Sequence, residues 1–191
     1  MLATVNLVLV AKTGTDTLAA VALGNNLAIM CSKLVLLGLC GALDTQAAQA
    51  VGAGRLGRLP LLYQRSVLWL LLHCVPIAAL LLAAPRLACN ASDTADAHML
   101  RLVEQYMWYC LPSVFLEAFS RPLSRVLVAQ RVTGALMAIA LIELPINAAA
   151  NWLLVLHWDL RHVGAGLSLS FASALDLLLM VRRRAAPGAM G

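Results

Sequence analysis

Residues 66–84 read Ser-Val-Leu-Trp-Leu-Leu-Leu-His-Cys-Val-Pro-Ile-Ala-Ala-Leu-Leu-Leu-Ala-Ala, with no aspartate, glutamate, lysine or arginine among them. A helix needs about 20 mostly apolar residues to cross a hydrocarbon core roughly 30 Å thick, and this run has that length. Arg65 bounds it on one side and Pro85 with Arg86 on the other. Inside lipid each backbone N–H and C=O must be satisfied within the segment or in a closed barrel. A barrel strand alternates apolar and polar positions, whereas this run is apolar throughout, so the element is a helix and its solvent is lipid.

Four further runs approach the same length: Leu18 to about Ala42, Tyr106 to Ala129, Gly134 to Leu156 and Val163 to Val181. Met1 to Ala11 is apolar as well but too short to span, and it lacks the basic start and cleavage pattern of a secretory signal, so it reads as a stub of a further helix. Short connections carry boundary signals: Gly52, Gly54, Gly57 and Pro60; then Pro85 with Asn90-Ala91-Ser92-Asp93; then Trp158-Asp159. The expected fold is therefore an all-α membrane protein, a polytopic helical bundle of five full spans and one stub. It forms a single unit over residues 1–184, with residues 185–191 as a short cytoplasmic tail. Composition agrees: 62% of residues are hydrophobic and 12% charged, where soluble domains carry about 25% charged residues.

The net charge of +5 does not point to nucleic acid, because the basic residues are scattered between apolar runs without a basic stripe interleaved with aromatics. Arg55, Arg58, Arg65, Arg131 and Arg182 to Arg184 fall on connections of one parity, which places that side in the cytoplasm. The opposite connections hold Asp16, Asp93, Asp96, Glu104 and Asp159 beside Lys12, Arg86, Arg101 and Arg161. Asn90-Ala91-Ser92 fits a glycosylation acceptor on that outer side. The five cysteines, Cys31, Cys40, Cys74, Cys89 and Cys110, have neither zinc-site spacing nor a disulfide pattern and read as small packing residues. No phosphate-cradling glycine loop before a lysine, nucleophile elbow or metal-spaced histidine set is present, which argues against an enzyme. His73, His98, His157 and His162 read as packing or interfacial residues.

An ionisable side chain at membrane depth costs on the order of 3 kcal/mol or more unless it meets a partner or water, so each one is a candidate for function. Four need explaining: Lys33, Glu117, Glu143 and Asp176. Glu143, Asn147 and Asn151 recur at steps of four on one helical face around Pro145. Such a face can coordinate a cation or proton and hydrogen-bond a polar drug group, with Pro145 freeing a carbonyl nearby. The same amides serve equally as glue between helices. Ser113, Glu117, Ser120, Arg121 and Ser124 make a second polar face, on which Glu117 and Arg121 can pair across one turn. Lys33 and Asp176 stand alone in their spans and either neutralise one another or snorkel to an interface.

These segments resemble the multidrug and toxic compound extrusion (MATE) antiporters, colinearly from about Thr15 to the end of the last span. The resemblance rests on residues 18–24, on Ala42-Leu43-Asp44-Thr45 followed by Gln49, Gly52 and Gly54, and on Tyr63-Gln64-Arg65. Pro112, Pro122, residues 128–130, Leu144 to Asn147 with Asn151-Trp152-Leu153, and Val163 to Gly166 continue it. It implies the first of two six-helix lobes of a transporter that exports xenobiotic or organic cations against a proton or sodium gradient. No cofactor is implied beyond that coupling ion. Asn147 and Asn151 match polar positions lining the first-lobe cavity, and Asp44, Thr45 and Gln49 match a signature with a conformational or capping role. Glu143 rests on the helical-face argument alone. The expected partners are the lipid bilayer, small organic cations or amphiphilic drugs, and a missing second lobe or another copy of the chain. The rival expectation is a membrane interaction subunit, or a truncated product, that transports nothing.

Overall fold

A computed structural model of the protein describes residues 15–90, 97–157 and 161–185. The stub Met1 to Ala11, the Ala91-Ser92 part of the glycosylation acceptor, the Trp158-Asp159 boundary and residues 186–191 lie outside the described residues. Helix α1, Thr15–Ala28, runs through a π-helical turn, Ile29–Lys33, into α2, Leu34–Gly52. The backbone stays right-handed helical on both sides of that turn, so α1 and α2 form one rod with an inserted bulge. A 3₁₀ turn, Leu56–Arg58, leads into α3, Leu59–Asn90. Next come α4, Ala97–Ala129, then α5, Thr133–Asn151, with its π-helical extension Trp152–His157, and α6, Arg161–Ala185. Among the described residues there is no strand.

The rod α1–α2, α3, α5 and α6 are each long and apolar enough to cross a membrane. Helix α4 is 33 residues long but less apolar, since it carries Glu117, Arg121 and Arg125. It is also the hub, packing against each of the other helices, most extensively against α6 and α3. The helices outrun the apolar runs that mark them: α3 begins seven residues before Ser66 and ends six after Ala84. Hydropathy registers only the lipid-immersed part, whereas backbone hydrogen bonding continues into the polar interface.

The connections use local backbone chemistry. After α2, Gly54 adopts φ +68°, and its N–H donates to the Val51 carbonyl while the Arg55 N–H donates to that of Ala50. This left-handed cap satisfies carbonyls that the helix end leaves free, and glycine enters it at no steric cost. The turn after α4 repeats the pattern with Arg131 at φ 62°, a position where an L side chain costs about 1–2 kcal/mol.

Close approach sets the rest. A Cβ on Gly24 would lie 2.6 Å from the Tyr106 ring, and one on Gly166 would lie 2.8 Å from Tyr109 Cβ. Small residues thus let α1 and α6 press against α4. The innermost packing layer contains Leu36, Cys40, Leu70, Cys74, Leu81 and Met107. The outside is apolar too: Leu68, Trp69, Leu72 and Val75 make an exposed stripe along α3, as expected where lipid is the solvent.

Candidate functional site

A cavity of about 260 Å³ lies among the π turn, α4, α5 and α6, and its lining carries five ionisable side chains: Lys33, Glu117, Arg121, Glu143 and Asp176. The π turn inserts one residue into the α1–α2 rod and so changes the face that follows. Its last residue, Lys33, lines the cavity. Glu117 and Arg121 sit one turn apart on α4, with Ser120 and Ser124 on the same lining. Glu143 comes from α5, and Asp176 comes from α6 together with Ser173. Glu143 is ten residues from the start of α5 and Asp176 nine from the end of α6, which is about 14–15 Å along each helix at 1.5 Å per residue. Both carboxyls thus reach roughly to mid-membrane.

Glu117 is held between two cations. Arg121 Nη2 donates to Glu117 Oε2 at 3.2 Å, and Lys33 Nζ lies 3.9 Å from Oε1. The pairing across one turn of α4 is thereby present, and Lys33 meets Glu117 rather than Asp176. Glu143 and Asp176 make no ion pair among the described residues. Two cations against three carboxylates leave a formal charge of −1 when all five are ionised. The triad of Lys33, Glu117 and Arg121 carries +1, and the remaining two carboxyls carry −2. Low dielectric makes that imbalance unfavourable, so the cavity is suited to accept one further positive charge.

The stripe on α5 divides. Glu143 lines the cavity, whereas Asn147 and Asn151 are almost completely buried at the α5–α6 junction and do not line it. Asn151 Nδ2 donates to Asn147 Oδ1 at 3.0 Å and to its main-chain oxygen at 3.2 Å. Ser168 Oγ of α6 donates to Asn151 Oδ1 at 2.6 Å, with the Ala165 carbonyl as a second acceptor at 2.8 Å. These contacts fasten α5 to α6. Pro145 is on the exposed side of α5, and having no N–H it leaves the Leu141 carbonyl without its helical donor.

The signature near the end of α2 lies elsewhere. Asp44 Oδ2 pairs with Arg125 Nη1 of α4 at 3.3 Å, and Thr45 Oγ1 donates to the Gly41 carbonyl within its own helix. Gln49 borders a separate pocket with Arg55 and Arg58. Arg125, Ser168 and Ser173 carry no motif that marks them among the candidates above. Ser173 lies three residues before Asp176 on the same side of α6 and lines the same cavity, whereas Ser168, eight residues back, is turned by about 80° towards Asn151. Among the described residues no group of three or more His, Cys, Asp or Glu is placed to hold a metal ion.

The family model MatE matches residues 1–153. Protein DETOXIFICATION 7 of Arabidopsis thaliana is 29% identical over 164 residues, 86% of this chain and 32% of the relative. Protein DETOXIFICATION 29 of the same plant is 30% identical over 162 residues, 82% of this chain and 31% of the relative. The chain spans about a third of the length of these relatives. The crystal structure of the eukaryotic MATE transporter AtDTX14 matches the fold with a TM-score of 0.94 at 22% identity, over 100% of this chain and 42% of that one.

Proposed function

This chain belongs to the MatE family, and from that premise we propose that it forms the first membrane lobe of a drug/cation efflux antiporter and holds the coupling cation in its charged cavity. The observation that carries this reading is the excess carboxylate at membrane depth: Glu143 and Asp176 face a triad that offers only one net positive charge. A proton or a sodium ion neutralises the remainder.

The size of the cavity supports a coupling ion rather than a drug as its occupant. Pockets for drug-sized ligands occupy roughly 300–1,000 Å³, and this one, at about 260 Å³, is lined largely by polar groups. It suits a proton, or a small ion with water. The organic substrate would then lie outside it, between this lobe and a second one, where alternating access operates in transporters built from repeats. Met137, Leu141 and Leu144 expose an apolar face of α5 against which a second lobe or another copy would pack.

The test joins this chain to the second lobe of a full-length relative and reconstitutes the product into liposomes. An imposed proton or sodium gradient should drive flux of a cationic dye. Glu143→Gln should flatten the dependence of that flux on pH, because an amide cannot titrate; Lys33, Glu117, Arg121 and Asp176 remain as the groups facing it. Asp176→Asn should act in the same direction. Gradient-driven flux with the wild-type pH profile in both variants would refute the coupling role of the cavity.

A further inference from the structure

A second pocket, of about 300 Å³, sits at the turn between α2 and α3, on the side that the distribution of arginines assigns to the cytoplasm, and is lined by Gln46, Gln49, Arg55, Arg58 and Leu62 with two alanines. We infer that this pocket binds the phosphate headgroup of an anionic phospholipid of the inner leaflet.

Its polar lining is entirely cationic or amide, with no carboxylate. Arg55 and Arg58 are exposed, and neither forms an ion pair among the described residues. Their guanidiniums can grip phosphate oxygens in a forked geometry, and the two glutamine amides supply further donors. The backbone adds to this. The pocket adjoins the start of α3, a 32-residue helix whose N-terminal end is electropositive. The opposing negative end of α2 is quenched, because the N–H groups of Ala53, Gly54 and Arg55 occupy the carbonyls of Gln49, Val51 and Ala50.

The occupant follows from position. Leu56 and Leu61 flank the turn and are about half exposed, at the cytoplasmic end of a segment apolar enough to span. The pocket thus lies at the depth of lipid headgroups, with apolar side chains placed to meet acyl chains. Anionic lipids concentrate in the cytoplasmic leaflet, where each nearby arginine contributes roughly five-fold in affinity. A soluble phosphate would gain nothing from Leu56 and Leu61.

The full chain in neutral detergent is titrated with dioctanoyl phosphatidylserine, dioctanoyl phosphatidylcholine and glycerol 3-phosphate, with binding followed by microscale thermophoresis. Wild type should prefer the serine lipid, and Arg55→Gln/Arg58→Gln should weaken that binding about 25-fold, two factors of roughly five. Arg55→Lys/Arg58→Lys, which keeps the charge, should retain most of the affinity and so separates loss of the site from loss of folding. Arg182→Gln/Arg183→Gln, which removes two arginines outside the pocket, should change affinity less than two-fold if local chemistry governs. Equal losses in the two glutamine double variants would overturn the site in favour of diffuse attraction. Glycerol 3-phosphate binding as tightly as the lipid would overturn the headgroup assignment, and so would equal affinity for the choline lipid.

Discussion

Asn151→Ala should be the most costly of the single polar truncations at the α5–α6 junction. The side chain is 1% exposed and takes part in three hydrogen bonds, two donated to Asn147 and one accepted from Ser168. Its loss removes an interhelical bond worth about 0.6–1.7 kcal/mol in a membrane bundle. It also strips the donor from Asn147 Oδ1 in a buried setting, which adds about 1–3 kcal/mol. The expected sum is about 2 kcal/mol or more. Ser168→Ala should cost less, about 1 kcal/mol, because only the Asn151 carbonyl oxygen loses its donor. Asn147→Ala should cost least, below about 1 kcal/mol, since Asn151 Nδ2 keeps the main-chain oxygen of residue 147. Reversible unfolding of the chain in mixed micelles by sodium dodecyl sulfate, followed by circular dichroism, measures all three. A cycle of Asn151→Ala with Ser168→Ala should return a coupling of about 0.6–1.7 kcal/mol. If Asn147→Ala proved as damaging as Asn151→Ala, or the coupling vanished, the junction would not be held as described. In a two-lobe protein, loss of export by Asn147→Ala at unchanged abundance would assign that amide to transport as well.

Other outcomes follow from single contacts. Gly166→Val should destabilise the bundle by about 1–3 kcal/mol, since a Cβ there would meet Tyr109 Cβ at 2.8 Å and the Tyr106 carbonyl oxygen at 3.2 Å; the same unfolding titration reads it. Arg131→Gly should stabilise by about 0.5–1 kcal/mol, because glycine adopts the left-handed conformation without the side-chain penalty. Single cysteines at Arg58 and Asp93, on a background lacking the native five, should label from opposite sides of sealed vesicles. The 191-residue chain by itself should give no gradient-driven dye flux above empty liposomes, because one lobe has nothing to rock against; saturable flux would favour a pair of identical lobes.

Much of the fold was legible because lipid imposes a single rule. A run such as residues 66–84 has no soluble alternative, and the pairing of Glu117 with Arg121 follows from spacing along one helix. The π turns were not legible, since Ile29–Lys33 looks like any other apolar stretch around a lysine. Yet that bulge helps decide which way Lys33 faces, and with it whether Lys33 meets Glu117 or Asp176. The division of the α5 stripe was hidden for a related reason. Steps of four accumulate: eight residues rotate the helix by about 80° and advance it about 12 Å. Glu143 and Asn151 therefore face different neighbours although each is near Asn147. Bringing α4, α5 and α6 around one cavity depends on packing between helices, which periodicity within a helix does not report.

Stability alone gives a poor reason for the charged cavity. Replacing a buried ion pair with well-packed apolar groups is often neutral or stabilising, by about 1–4 kcal/mol, so the Lys33–Glu117–Arg121 triad is a weak fastener for a bundle already held by Gly24, Gly166 and the α5–α6 amides. Glu143 and Asp176 are harder still to explain as structure, because neither gains an ion pair among the described residues in return for leaving water. Asp176 gains only a hydrogen bond with Ser120 of α4, worth about 0.6–1.7 kcal/mol in a membrane bundle. What an apolar side chain lacks is the capacity to exchange a positive charge. The triad gives the two carboxyls a fixed neighbouring field, and the two carboxyls give the cavity a charge that changes when a cation or proton enters. On the function proposed above, ion exchange gives these charges a role that stability alone does not supply.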